Sequence, residues 1–308
     1  MNQNSFEDVT EFPDSEVKKR YDQLVGLDYE KSQLLKQSTL LLNPDLLIAW
    51  SNSFYKKEIS ILKQVQSRPP LFIFAGDVGT GKTSLAESFG DAIARKEKME
   101  ISLFRLSLKT RGNGTVGDMT NMISSAFEAV LAEGKKGKSQ NKKQRRGIIL
   151  VIDEADALAQ SRESAQMHHE ERAGVNALIR GVDTISGEHL PVIVVMCTNR
   201  LSAIDPAIKR RAAFIFDFAR PNEVQRRHIF ERALEDCAFS EEQLSELVKQ
   251  TGPLAERAYG YTYSDIMQRF LPSVVLHFFP DQPIDAIKTL ALANQILPTP
   301  PFKDENKD

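Results

Sequence analysis

The stretch Leu71-Phe72-Ile73-Phe74-Ala75-Gly76-Asp77-Val78-Gly79-Thr80-Gly81-Lys82-Thr83-Ser84 decides the fold. Its first five residues are an unbroken apolar run, set off from the preceding helix by Pro69 and Pro70. A short apolar run without polar alternation reads as a strand covered on both faces. Leu85, Phe89 and Ile93 then recur at four-residue spacing, which starts an amphipathic helix near Lys82. Between strand and helix lies Gly-x-x-x-x-Gly-Lys-Thr in full, the pattern of a phosphate-binding loop. Its glycines let backbone N–H groups curl around phosphate oxygens, and the helix behind them offers its positive end. Lys82 is placed to reach the β- and γ-phosphates and the Thr83 hydroxyl to ligate Mg²⁺. Gly76, Asp77, Val78, Gly79, Thr80, Gly81, Lys82, Thr83 and Ser84 are therefore the candidate nucleotide contacts. Set against a plain glycine-rich turn, the strand-loop-helix context favours a site for ATP.

Working outward, residues 101–108, 148–152, 192–197 and 214–218 read as further strands, and residues 24–62, 119–131 and 173–182 as helical. Strands alternating with helices predict an α/β fold, a parallel sheet flanked by helices. After Pro221 the strand signals stop, and residues 223–235, 241–250, 264–277 and 284–293 read as helices. The expected division is an acidic mobile tail over 1–22, a large α/β nucleotide-binding domain over 23–220, a small helical lid over 221–297 and a loose tail over 298–308. Trp50 and the phenylalanines are expected in the core. Residues 133–147 carry seven bases against one acid and no apolar side chain, which reads as a flexible basic loop.

Composition bounds the function classes. The 308 residues hold 40 Lys and Arg against 42 Asp and Glu, a net charge of −2, which argues against a globally basic nucleic-acid binder. Two cysteines, Cys197 and Cys237, cannot make a disulfide framework and fit a reducing compartment. No apolar stretch approaches the ~20 residues of a membrane-spanning helix. The first sixteen residues carry five acids and no base, the wrong polarity for an export signal. A cytoplasmic location, with no membrane partner, is the expectation.

Three further marks follow the loop in order. The apolar run 148–152 ends in Asp153-Glu154, placing two carboxylates at the C-terminal edge of the sheet, where α/β folds bind ligands. Asp153 would hold Mg²⁺ and Glu154 would polarise the attacking water. The run 192–197 ends in Thr198-Asn199, and an amide at that strand tip can orient water against the γ-phosphate. Twelve residues after Asn199, Lys209-Arg210-Arg211 offers a guanidinium for transition-state charge, against the alternative of a solvated helix end.

These marks in this order resemble the AAA+ ATPases. The resemblance runs from about residue 24 to residue 296 and implies a helical lid over the nucleotide, with Val25 and Gly26 of Leu24-Val25-Gly26-Leu27 at the adenine side. Arg172-Ala-Gly-Val-Asn176-Ala-Leu-Ile-Arg-Gly-Val-Asp183 looks like the segment that borders the subunit interface in this branch. Ile204-Asp-Pro-Ala207-Ile-Lys-Arg210-Arg211-Ala is similar to that of the pachytene-checkpoint type, which remodels HORMA-domain proteins and has short bacterial members linked to antiphage signalling. In that alignment Arg211 takes the arginine-finger place, with Arg210 as the fallback, and the ring implied is a homohexamer. Thr115-Val116 falls at the central-pore loop, where unfoldases usually carry an aromatic next to an aliphatic residue. Ser264 stands where the HORMA remodellers carry a lid arginine. The expectation is an ATP-driven ring that locally unfolds a protein partner. Two readings compete with it: a DNA-associated loader or transposition helper, motivated by the basic run, and a nucleotide-dependent scaffold with little turnover.

Overall fold

The computed structural model describes residues 6–108, 118–139, 146–158 and 167–302. Six strands form one sheet: β1 (Asp8–Phe12), β2 (Leu71–Gly76), β3 (Glu100–Ser107), β4 (Arg146–Asp153), β5 (Val192–Thr198) and β6 (Ala212–Phe218), in the spatial order β1-β3-β4-β5-β2-β6. β2 pairs with β5, β5 with β4 and β4 with β3, all parallel, so the expected parallel sheet is present. Every residue of β5, and residues 71–75 of β2, are buried, as parallel strands with both faces covered must be. Helices α1 (Ser15–Gln23), α2 (Asp28–Leu42), α3 (Asp45–Tyr55), α4 (Ile61–Gln66), α5 (Lys82–Glu97), α6 (Asp118–Ser139), α7 (Met167–Gly187) and the short α8 (Pro206–Lys209) connect or flank the strands. Asp205 starts α8 by accepting from the Ala207 N–H at 2.7 Å, with Pro206 in the first turn, where its missing N–H is not needed.

The chain divides into two compact units. The first comprises Met1–Asp22, Tyr29–Ala75 and Thr83–Asp217, and carries the sheet. The second comprises Gln23–Asp28, Gly76–Lys82 and Phe218–Asp308. Its helices are α9 (Glu223–Ala233), α10 (Glu241–Gln250), α11 (Leu271–Phe278) and α12 (Ala286–Gln295), with a π-helical turn over Asp265–Phe270 before α11. Asn222 and Ser240 open α9 and α10 with reciprocal capping boxes, closed by Gln225 and Gln243. Ile229, Phe230, Leu247, Tyr261, Ile266, Phe270 and Val274 form a core separate from that of the sheet, so the expected helical unit exists. Its composition differs from a single cut after residue 220, because the phosphate loop and the turn around Gly26 make their contacts with it.

The acidic start of the chain is not a tail where it is described. Residues 8–12 form β1, antiparallel to β3, with Asp8 opposite Arg105 and Phe12 opposite Ile101. The reason is alternation: Phe12 is buried on one side, while on the other the Glu11 carboxylate accepts from the Ser102 hydroxyl at 2.8 Å. The Phe12 ring lies against Gly90 of α5 so closely that a Cβ there would fall 2.5 Å from it.

At the other end, Thr299 and Phe302 donate to carboxylates of the second unit, so the expected loose tail is bonded as far as residue 302. The basic run is also less loop-like than its composition implies. α6 continues to Ser139, β4 begins at Arg146, and Lys135, Lys136 and Arg146 pair with Glu188, Glu133 and Glu100 at 2.7–3.1 Å. Residues 140–145 lie outside the described residues. Trp50 is 44 % exposed and packs on Phe54 and Tyr55 along the outer side of α3, not in the core, whereas Phe72, Phe74 and Phe216 meet edge-to-face inside it. Among the described residues, no helix is long and apolar enough to cross a membrane.

Candidate functional site

The C-terminal edge of the sheet collects Thr83, Asp153, Glu154 and Asn199 of the first unit, and Arg210 and Arg211 stand apart from them, before β6. The Thr83 hydroxyl, at the start of α5, lies 3.3 Å from Asp153 Oδ1 at the end of β4. A hydroxyl and a carboxylate this close are a hard-oxygen pair of the kind Mg²⁺ takes, so the residues fit the ion they were assigned. Glu154 follows with φ of +54°, a left-handed conformation uncommon outside glycine and asparagine. Its N–H donates to Asp153 Oδ1 at 2.9 Å, and the Ser107 hydroxyl donates to its carboxylate at 3.2 Å. The turn thus gives the two consecutive carboxylates different partners, Thr83 for Asp153 and Ser107 for Glu154.

Asn199 is fixed by a residue that sequence reasoning passed over. Asp156, buried in the turn after β4, accepts from the Asn199 N–H at 2.9 Å, the Asn199 side-chain amide at 3.3 Å and the Thr198 hydroxyl. One carboxylate thereby ties the ends of β4 and β5 together. The signal was present as an acid three residues beyond Asp153, inside a stretch already of interest. Arg105 on β3 was also missed. Its guanidinium lies 2.8 Å from Glu87 of α5 and 3.7 Å from Asp153 Oδ2. Burial pushes the Glu87 carboxyl above its ordinary pKa, and the Arg105 charge opposes that shift.

Arg211 makes a two-pronged contact with Asp183, at 2.8 and 3.0 Å, and donates to the Ala207 carbonyl at 3.2 Å. The hydrogen bond to Asp183 raises its already high pKa, so it stays a cation. Arg210 is exposed beside it.

In the second unit the phosphate loop takes the conformations its glycines permit. Gly76, Gly79 and Gly81 have φ of +150°, +75° and +93°. A Cβ on Gly76 would stand 2.2 Å from the Phe218 carbonyl oxygen, so only glycine fits. The Lys82 ammonium donates to the carbonyls of Gly76 and Asp77 at 2.9 and 2.7 Å, and the Thr80 hydroxyl to the Asp77 carbonyl at 2.8 Å. Val78 is exposed on the loop, and Ser84 is exposed at the start of α5. Val25 packs on the helical core, and the Gly26 carbonyl accepts from Gln225 Nε2 at 2.5 Å and the Tyr263 hydroxyl at 3.2 Å. Ser264 donates from its backbone to the Gly79 carbonyl at 3.0 Å, so this lid position touches the loop through its main chain. Arg220, also unforeseen, bonds the Asp77 carboxylate through Nε at 2.8 Å and its terminal nitrogen at 2.5 Å. Thr115 and Val116 lie outside the described residues.

A loop of this form feeding a helix, with an acidic strand end and an amide strand tip on the same sheet, defines a nucleotide-binding ATPase module. Residues 72–220 match the model of the AAA family, the ATPases associated with various cellular activities, and the chain belongs to that family. It is 48% identical over 299 residues to CD-NTase-associated protein 6 of Escherichia coli strain MS 115-1, covering 97% of this chain and 96% of that relative. A second CD-NTase-associated protein 6, from strain KTE188, is 36% identical over 97% of this chain and 98% of its own length. Among solved structures, a chain of the E. coli MS115-1 HORMA:CdnC:Trip13 complex superposes with a TM-score of 0.88 at 47% identity, covering 97% of each chain. Rhizobiales Trip13 follows at 0.77 and 40%, covering 96% of this chain and 100% of that one. The resemblance to the pachytene-checkpoint type of AAA ATPase is thereby established.

Proposed function

We propose that this chain is an ATP-hydrolysing, ring-forming remodeller that acts on a HORMA-type signalling protein in bacterial antiphage defence. The observation that carries the reading is the near full-length likeness to a chain of the E. coli HORMA:CdnC:Trip13 complex. The Thr83–Asp153 pair with Glu154 beside it supports turnover over a non-hydrolysing scaffold.

In this reading the loop from Gly76 to Lys82 wraps the phosphates with backbone N–H groups, and Lys82 adds the positive charge. Thr83 and Asp153 would hold Mg²⁺, and the ion would supply charge neutralisation at the phosphoryl group. Glu154 accepts a proton from the attacking water, and Asn199, oriented by Asp156, positions that water. Val25 and Gly26 line the adenine side. Arg211, released from Asp183, reaches the nucleotide of a neighbouring subunit, so activity depends on assembly, which we take to be a homohexamer. Arg210 is the second candidate for that role. The pore residues Thr115 and Val116 grip the partner, and the assembly works in the cytoplasm.

The test is phosphate release by the purified chain alone, with a HORMA-domain protein and with duplex DNA. Stimulation by the HORMA protein is the expected result. Stimulation by DNA alone would replace this reading with the loader, and no release under any condition would leave the scaffold.

A further inference from the structure

The carboxylate of Asp77, inside the phosphate loop, is held from the far end of the chain. Its Oδ2 takes two bonds from Arg220, a pair whose side chains are only 13% and 18% exposed and therefore weakly screened. Arg220 itself is steadied by a bond to the Gly260 carbonyl at 2.7 Å and by the Tyr259 ring, 5.0 Å from its guanidinium carbon. The other oxygen, Oδ1, accepts from the Val78 N–H at 2.9 Å and from the backbone N–H of Phe302 at 3.0 Å. Phe302 lies 225 residues downstream.

A second fastening sits three residues earlier. Thr299 donates from its N–H and its hydroxyl to the two oxygens of Asp265, at 3.0 and 2.7 Å. Asp265 in turn accepts from the Thr262 N–H at 2.9 Å. Thr262 and Ser264 close over Gly79 so tightly that a Cβ there would lie 2.8 Å from the Thr262 hydroxyl and 2.9 Å from the Ser264 Cβ. Residues 299–302 therefore meet the loop at Asp77 directly and at Gly79 through Asp265 and Thr262. Pro298, Pro300 and Pro301 stiffen the segment into an extended form, which lowers the entropy lost on holding it there.

We propose that residues 299–302 are a strap that positions the phosphate loop and slows nucleotide release, fastened by the Phe302 N–H on Asp77 and by Thr299 on Asp265. The proposal rests on the nucleotide-binding reading of the loop. Holding the Asp77 carboxylate fixes the Val78 N–H that it accepts from, and with it the peptide plane between Asp77 and Val78 and the path of the loop that follows. The groups assigned to chemistry, Thr83, Asp153 and Glu154, are not among the atoms so held, so the strap acts on binding and exchange before it acts on bond cleavage.

The test uses the full chain loaded with a fluorescent ADP and chased with unlabelled ADP in a stopped-flow instrument. Phe302→Pro extends the proline run and deletes the one N–H that matters, whereas Phe302→Ala keeps it. Thr299→Val loosens the second fastening with little change of shape. Release should quicken about tenfold or more in Phe302→Pro and in Thr299→Val, the scale of losing one hydrogen bond to a charged group, and stay near wild type in Phe302→Ala. Equal acceleration in Phe302→Ala and Phe302→Pro would overturn the backbone fastening in favour of ring packing. Unchanged release in both Phe302→Pro and Thr299→Val, with normal uptake, would overturn the strap alone. A wild-type chain that takes up no labelled ADP would overturn the nucleotide site and the strap with it.

Discussion

Lys82 and Glu154 carry charges assigned to different steps, and substitutions separate them. Lys82→Ala should abolish ATP binding, because no other cation of the loop replaces a point charge on the phosphates. Glu154→Gln should bind normally and turn over roughly 10² or more slower, the usual scale for losing a positioned base. Equilibrium binding of labelled ATP and a phosphate-release assay distinguish the two; equal turnover in wild type and Glu154→Gln would remove Glu154 from its role. Asp156 is the residue whose importance only the fold reveals. Asp156→Ala leaves the Thr198 hydroxyl and the Asn199 N–H without their buried acceptor, so stability should fall by about 1–3 kcal/mol and turnover should fall with it. Denaturant unfolding beside the ATPase assay measures both, and a fully stable, fully active variant contradicts the assignment. Asp153, Glu154 and Asn199 were legible because each ends an apolar run. Asp156 and Arg105 were not, because their partners Asn199 and Glu87 lie 43 and 18 positions away in the chain.

Elements meet here at glycines as well as at apolar side chains. α6 and α7 cross at Gly181, where an added Cβ would stand 2.2 Å from the Phe127 ring. Gly181→Ala should force these helices apart and cost about 1–3 kcal/mol, read as a lowered unfolding midpoint. An unchanged midpoint would mean the ring has room to turn aside. In the second unit, Tyr261 ties its own core to the end of α12 by donating to the Ala293 and Ile296 carbonyls at 2.8 and 2.6 Å. Burial pushes its hydroxyl up to about 12 from the usual 10.0. Below pH 10 the phenol keeps its proton in folded and unfolded chains alike. As pH rises from 10 towards 12 the unfolded chain ionises first, so the folded state loses stability, on the order of 2 kcal/mol. Unfolding of wild type and Tyr261→Phe at about pH 9 and pH 11.5 checks the sign. The advantage of wild type should shrink at the higher pH, and a constant gap would contradict the burial.

At the scale of the whole molecule, Arg211 is the residue whose proposed role needs a second copy. Within one chain its guanidinium is engaged by Asp183, an acid in the segment that resembles a subunit border. Arg211→Ala should leave ATP affinity near normal and lower turnover by orders of magnitude. Mixing Arg211→Ala with Glu154→Gln chains should restore part of the rate, because some interfaces then pair an intact Glu154 with an intact Arg211. No recovery in mixtures would mean the arginine acts within its own chain. Loss of activity in Arg210→Ala instead would transfer the role one residue back.

The phosphate loop, the five strands from residue 71 to residue 218, the Asp153-Glu154 pair and the helices after Pro221 were determined by the sequence alone, since each depends on residues close together in the chain. Backbone conformation at Gly76, strand burial and helix capping are local demands that local composition answers. Tertiary structure alone decided that the acidic start forms β1, that Trp50 faces outward, and that the loop's Asp77 is held by Arg220 and Phe302. Those outcomes depend on pairing across long chain separations: an acidic segment becomes a strand only when β3 offers it an edge, and a carboxylate is bound only when a distant cation arrives. Charge counting along the chain registers the acids of residues 7–16 as a solvated run. Only their alternation against the sheet, with Phe12 turned inward over Gly90, shows why the segment folds.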